Sequence, residues 1–254
     1  NVWEVSLAGK VKIHLIGFIP LGAPVKASLL GLNFCGINTV FMDAEIPVSS
    51  KYVICNETPF FNNHIATDKA VGTQKDTWQI EKVINAGYAS FSVACADFEE
   101  DFPDGYKEGV RTILANDLNI NPKDWSAMSA WAWGLSKMLD VIKTLPELKN
   151  AKMILHGHSR MGKASLWAAA NDSRFDAVIA IQSGEGGAAL LRRNFGEGIE
   201  PITTRFPHWF LPDFAKYAGN ESTLPFDQHI LLSLIAPRPL FVSSALDDKW
   251  ADPK

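Results

Sequence analysis

Lys152–Ala170 reads KMILHGHSRMGKASLWAAA. The short apolar run Met153-Ile154-Leu155 enters Gly157-His158-Ser159-Arg160-Met161-Gly162, and an Ala-rich helical run follows. A serine on a tight strand-to-helix turn presents its hydroxyl above the edge of a sheet. In the Gly-x-Ser-x-Gly form of that turn, glycine stands at both ends; here Met161 holds the last place and Gly162 falls one residue later. The physics survives the shift. Gly157 lets the backbone turn sharply, and Gly162 and Ala164 are small enough for the helix to lie close on the strands. The N–H of Arg160, at the helix N-terminus, points at any developing oxyanion. The plainer reading, a buried strand and helix joined by Gly and Ser without chemistry, leaves His158-Ser159-Arg160 between small residues unexplained.

Outward from this stretch, strands alternate with helices. Upstream, Ser126–Leu145 carries Trp131, Leu135, Met138, Leu139 and Ile142 at three- and four-residue spacing, one apolar stripe of a core helix, which Pro146 stops. Tyr88–Ala96 reads as a strand of small and β-branched residues. Asp76–Ala86 reads as a helix contacting the core through Trp78, Val83 and Ile84, with Gly87 at its end. Downstream, Ala177–Ile181 and Leu240–Ala245 are short apolar strands, and Asp227–Ile235 is a helix. Strands apolar on both faces, separated by helices, indicate a mostly parallel sheet covered by helices. Val11–Pro20 and Lys26–Phe34, joined by the turn Leu21–Pro24, are expected to pair as an antiparallel N-terminal edge, with Thr39–Phe41 a further short strand. Asp43–Gln74 holds no period and is expected as surface loop. Asp97–Lys107, with Asp97, Glu99, Glu100, Asp101 and Asp104, is expected as a solvated acidic loop.

The chain has 254 residues, an apolar fraction of 47%, a charged fraction of 20% and a formal net charge of −4, in keeping with one folded globular domain over 1–254. No basic face suggests a nucleic-acid partner. There is no run of apolar residues long enough for a membrane span, and no signal peptide. The chain opens without Met and stops soon after an apolar strand, so both ends read as cut. Cys35, Cys55 and Cys95 match no metal or redox spacing; buried free thiols are the simpler expectation for Cys35 and Cys95. The eight Trp suit a core or the stacking of sugar rings equally well.

A serine nucleophile needs a base to take its proton and an acid to orient that base. Where the chain order is Ser, acid, His, the acid lies in a loop after a later strand. Two loops qualify. One carries Gln182 and Glu185 after Ala177–Ile181; the other carries Asp247 and Asp248 after Leu240–Ala245. Gln182 has no full negative charge to offer an imidazolium. Asp248 is favoured by its setting, and Asp247 and Glu185 stay open. The base is the difficulty: His208 and His229 are the histidines after Ser159, and neither follows Asp248. His158, beside the serine on a tight turn, points elsewhere.

Six blocks then carry a specific resemblance: Gly157–Lys163 (GHSRMGK), Ser183–Ala189 (SGEGGAA), Phe206–Phe210 (FPHWF), Leu224–His229 (LPFDQH), Ile235–Leu240 (IAPRPL) and Trp250-Ala251-Asp252-Pro253. Together they resemble the glucuronoyl esterases, carbohydrate esterase family 15, of bacterial type. The resemblance implies an α/β-hydrolase: a three-layer α-β-α sandwich whose mostly parallel central sheet has antiparallel N-terminal edge strands. It implies hydrolysis, without metal or cofactor, of the ester between 4-O-methyl-glucuronic acid of glucuronoxylan and a lignin alcohol. Ser159 matches the nucleophile, Arg160 the arginine that stabilises the oxyanion, Lys163 a lysine that binds sugar hydroxyls, and Trp250 a tryptophan lining the glucuronate site. Fungal members place their triad glutamate where this chain has Gln182, while some bacterial members use an acid after the later strand, in agreement with Asp248. The family histidine lies beyond Trp-Ala-Asp-Pro, so the resemblance implies a chain truncated before its general base. It further implies a monomeric, secreted or periplasmic protein whose partners are glucuronoxylan–lignin complexes, with no membrane or nucleic acid. Competing readings are an acetyl-xylan or other carbohydrate esterase, and a carbohydrate-binding fragment without catalysis.

Overall fold

Val2–Leu7 (VWEVSL) alternates between exposed and half-buried positions, and a turn through Ala8 and Gly9, both at positive φ, folds it back on Val11–Phe18. These are β1 and β2, an antiparallel pair in which Val5 faces Ile13. The computed structural model describes residues 1–193 and 195–251. Asn194 of the irregular run after Arg192, and Asp252, Pro253 and Lys254, lie outside the described residues.

Five further strands complete the main sheet: β3 (Ser28–Asn33), β4 (Ala89–Ala94), β5 (Met153–His158), β6 (Ala177–Ile181) and β7 (Leu240–Ser243). Their order across the sheet is β1-β2-β4-β3-β5-β6-β7. β2 meets β4 antiparallel; β4, β3, β5, β6 and β7 all run parallel. The antiparallel edge is therefore β1–β2, and the expected pairing of Val11–Pro20 with Lys26–Phe34 does not occur. β4 lies between them. Ser28–Asn33 is buried along almost its whole length, as a central strand flanked on both sides must be. Thr39–Phe41 is not a strand either; Ile37–Thr39 forms a turn of 3-10 helix.

The helices cover the two faces. Ala127–Ile142 (α2) buries Trp131, Leu135, Met138, Leu139 and Ile142 completely, the stripe read from its spacing, and the Ser126 side chain caps it. Arg160–Asn171 (α3) packs beside α2, and both cover the face carrying Leu30 and Leu155. The expected helix over Asp76–Ala86 is two short pieces, Lys75–Trp78 and Ile80–Asn85 (α1), because Gln79 takes a left-handed conformation between them. Trp78 and Val83 line a cavity of about 230 Å³ with Leu29 and His156. Desolvation there lowers the pKa of His156 to about 4, so its ring stays neutral at physiological pH. Helix, sheet and helix make the three-layer α/β-hydrolase sandwich. Among the described residues, no helix is long and apolar enough to cross a membrane.

Asp43–Gln74 is irregular but not merely surface. Phe61–Asn62 and Ile65–Ala66 pair as a small hairpin, and Val53, Phe61 and Ala70 bury against Cys35. That folding brings Cys55 to Cys35, and the two form a disulfide. The expectation of a free Cys35 is thus corrected; Cys95 is free and buried. The pairing depends on how Asp43–Gln74 folds back, which cysteine spacing does not encode. The bridge closes a 20-residue separation. Replacing Cys55 with Ser is expected to lower the unfolding free energy by about 3 kcal/mol through the chain entropy returned to the unfolded state, read by urea denaturation. The same loss should follow reduction of the parent chain and be absent on reducing the variant.

Candidate active site

The five parallel strands open their carboxyl ends on one rim of the sheet, the place where α/β proteins carry their sites. Phe34 leaves the rim after β3, the Asp97–Asp101 segment after β4, Ser159 after β5, Gln182–Glu185 after β6 and Asp247–Trp250 after β7.

Ser159 sits between β5 and α3 at φ 54°, ψ −127°, a conformation that an L-residue holds only when its surroundings impose it. Gly157 is part of that imposition. A Cβ there would stand 2.2 Å from the Met161 carbonyl oxygen and 2.6 Å from the Gly162 nitrogen, so only glycine fits. The displaced glycine does separate work: a Cβ at Gly162 would lie 3.0 Å from the Ser183 Cβ, so its absence lets α3 approach the β6 loop. The Ser159 amide bonds Ile181 O, and its carbonyl accepts from Gly162 and Lys163. The Arg160 N–H is among the first N–H groups of α3, which have no intrahelical partner.

Ser159, Arg160, Lys163, Asp248 and Trp250 come together in one cleft of about 50 Å³. The cleft is narrow, and Trp250, 44% exposed, forms part of its wall. Asp247 is exposed and outside this lining. Asp248 is half-buried; its Oδ1 accepts from the Ala251 amide at 3.2 Å, and its Oδ2 accepts from the Gln182 side-chain amide. Gln182, which has no negative charge of its own, thus helps to position the Asp248 carboxylate. Glu185 is fully buried beneath the cleft.

Lys163 lies deeper than a surface sugar ligand would. It is 4% exposed, and its ammonium donates to Ser183 O and Glu185 O, both at 2.6 Å. Glu197 Oε2 stands 3.9 Å away, and Glu197 Oε1 is buried with no hydrogen-bond partner among the described residues. Burial penalises both charges, raising the Glu197 pKa and lowering that of Lys163. Glu197 also lines the cleft. Sequence reasoning missed it; the signal available was a carboxylate between Gly196 and Gly198.

The acidic segment is the largest correction. Asp97–Asp101 was expected in solvent, yet Glu99 and Asp101 are buried. Glu99 takes a two-point contact from Arg111, with both N–O distances 2.8 Å, and its carbonyl accepts from the Trp131 indole. Asp101 Oδ2 accepts from Arg160 Nη1 at 2.5 Å; Oδ1 accepts from His208 Nε2 at 2.8 Å and Trp209 Nε1 at 2.7 Å. The Arg160 guanidinium lies over Trp209, 4.4 Å from the ring centre, with Phe206 at 5.1 Å. Burial works against ionising Asp101, but the His208 bond, the Arg160 charge and the Trp209 bond outweigh it and hold the carboxyl below its usual range. Phe98 lies within this run and Phe102 follows it, and that apolar spacing was the available clue that the segment turns inward.

No histidine bonds the Ser159 hydroxyl among the described residues. His208 is held by Asp101, His229 is exposed on the helix Gln228–Ser233, and the His158 side chain is exposed. Nor are three His, Cys, Asp or Glu side chains grouped to hold a metal ion among the described residues.

The family model described as "Glucuronyl esterase, fungi" matches residues 61–254. A carbohydrate esterase, MZ0003, of an unknown prokaryotic organism is 41% identical over 244 residues, 95% of this chain and 56% of its own length. The chain thus spans about half the length of that relative. The structure of a glucuronoyl esterase from Solibacter usitatus superposes with a TM-score of 0.83 at 37% identity, covering 100% of this chain and 68% of that one. A glucuronoyl esterase from Sporotrichum thermophile, solved in complex with methyl 4-O-methyl-β-D-glucopyranuronate, shares the fold at 18% identity and a TM-score of 0.61, over 98% of this chain and 58% of its own.

Two outcomes follow from the buried charges. Asp101→Ala leaves Arg160 and His208 without their carboxylate and should destabilise the chain by about 3–5 kcal/mol in denaturant titrations, with Asp101→Asn recovering part of the loss. Because Glu197 has a raised pKa, the unfolded chain releases that proton first, and stability falls as pH rises from the ordinary glutamate range toward neutrality. Melting curves at about pH 5 and about pH 7.5 should show this fall in the parent chain and a smaller one in Glu197→Gln.

Proposed function

The chain belongs to the glucuronoyl esterase family, carbohydrate esterase family 15, and we propose that it hydrolyses the ester joining 4-O-methyl-glucuronic acid of glucuronoxylan to a lignin alcohol. The observation that carries this reading is the meeting of Ser159, Arg160 and Asp248 in one cleft, with the Lys163–Glu197 pair in its floor and Trp250 as its wall.

Ser159 Oγ attacks the ester carbonyl while an imidazole set between Ser159 and Asp248 takes its proton. The charge that develops on the carbonyl oxygen meets the Arg160 N–H and guanidinium, donors held in place by Asp101 before the reaction begins. The imidazolium returns the proton to the departing alcohol, leaving the glucuronoyl group on Ser159. Water, deprotonated by the same imidazole, then attacks the acyl-enzyme and releases the glucuronic acid. Asp248, oriented by Gln182 and the Ala251 amide, stabilises the imidazolium in both halves. The sugar ring lies against Trp250, and its hydroxyls donate to Glu197. Secretion or a periplasmic location is supported by the Cys35–Cys55 disulfide, a bond that persists in oxidising compartments.

No histidine among the described residues occupies the place of the base, so the chain is expected to turn over slowly alone and faster with added imidazole. The test compares a methyl or benzyl glucuronate ester with acetylated xylan, with and without imidazole. Expected are preference for the glucuronate ester, loss of turnover in Ser159→Ala, and a fall in kcat of roughly 10²-fold in Arg160→Ala. Preferential acetyl release would sink the proposed substrate class. Turnover independent of Ser159, or none with imidazole, would sink the mechanism.

A further inference from the structure

A second cleft lies on the outer surface of the helical layer. α2 turns its core stripe inward, and the opposite stripe carries Ser129, Trp133 and Ser136. Trp125 precedes the helix and meets Trp133 edge to face, with ring centres 6.2 Å apart. α3 presents Trp167, 42% exposed in mid-helix, and Asn171 one turn later. Between the two helices these residues bound a groove of about 560 Å³, well within the range of small-molecule sites. Besides these three indoles, the groove is lined by hydroxyl and amide groups and by the charged side chains of Asp124, Asp172 and Arg174.

The charges beside the groove define what it can take. Arg174 is matched to Asp172 by two bonds, of 2.6 and 2.9 Å, and to Asp140 at 2.5 Å. Lys137 donates to Asp140 at 3.1 Å. With both neighbouring cations already paired, an anionic ligand gains no counter-charge there. Exposed indole offers an apolar face to the C–H face of a pyranose. The Asn171 amide donates to Trp167 O, which leaves its oxygen to accept from a sugar hydroxyl, and Ser129 adds a hydroxyl.

We propose that this groove binds a neutral oligosaccharide of linked pyranoses, such as an unsubstituted xylan segment, as a non-catalytic site. It shares no lining residue with the Ser159 cleft. Trp167 is seven residues along α3 from Arg160, about 10 Å at the helical rise, so one polysaccharide can reach both. The inference does not require the esterase reading, and its test does not use turnover.

The experiment is calorimetric titration of the chain with xylohexaose and, separately, with a polygalacturonate oligosaccharide of similar length. Saturable binding of xylohexaose is expected, weakened at least tenfold in Trp167→Ala and several-fold in Asn171→Ala. Both side chains are exposed, and circular dichroism checks that each variant is folded. Trp250→Ala, which removes the wall of the Ser159 cleft, is titrated alongside to show which of the two clefts the sugar occupies. The proposal is overturned if xylohexaose does not bind, if the acidic oligosaccharide binds more tightly, or if Trp250→Ala and not Trp167→Ala removes binding, which places the sugar in the Ser159 cleft.

Discussion

One buried carboxylate, Asp101, ties together parts of the chain that lie far apart in sequence. It receives Arg160 from the start of α3 and His208 and Trp209 from a segment more than a hundred residues away in sequence. Without a negative charge there, the guanidinium would have to lie in a nearly dry position among Phe34, Phe206 and Trp209 with no counter-ion. With it, the guanidinium stays at the cleft that Ser159 also lines. The neighbouring Glu99–Arg111 pair and the Trp131 indole bond anchor the same segment to the core helix, so Asp101 is itself held on a fixed support.

The rest of the cleft follows from the parallel sheet. Five strands end at the same rim, and the residues that follow them meet there although they are scattered between positions 34 and 250. The turn at Ser159 adds local strain, maintained by the contact of the glycine at 157 with the first turn of α3. Below it, Lys163 and Glu197 are two charges taken out of water. Lys163 is satisfied by two carbonyls, while one Glu197 oxygen is buried without a hydrogen-bond partner among the described residues.

Where a signal was local, the sequence made it legible. The spacing of Trp131, Leu135, Met138, Leu139 and Ile142 placed α2 and its buried face, and the run from Met153 to Ala170 placed the strand, the turn and the helix. Reading failed where a local signal had two tertiary outcomes. Val11–Pro20 and Lys26–Phe34 look like a hairpin because a short turn joins them, yet a strand from some sixty residues later inserts between them. Asp97–Asp101 looks solvated because it is acidic. Burial of Glu99 and Asp101 becomes tolerable only when Arg111 and Arg160 arrive from elsewhere.

Composition and motif by themselves determined the class of fold, the serine on its strand-to-helix turn and the family resemblance. Each of these is carried by short local segments, within which sterics and hydrophobic period act directly on the chain. The tertiary structure alone decided that Asp248 and not Asp247 lines the cleft beside Ser159, that Gln182 holds it, that Cys35 finds Cys55, and that Asp101 fixes Arg160. These are pairings of polar or reactive groups over long sequence distances. Their free energy depends on burial and on the partner being in reach, and neither exists until the sheet has brought the loops to one rim.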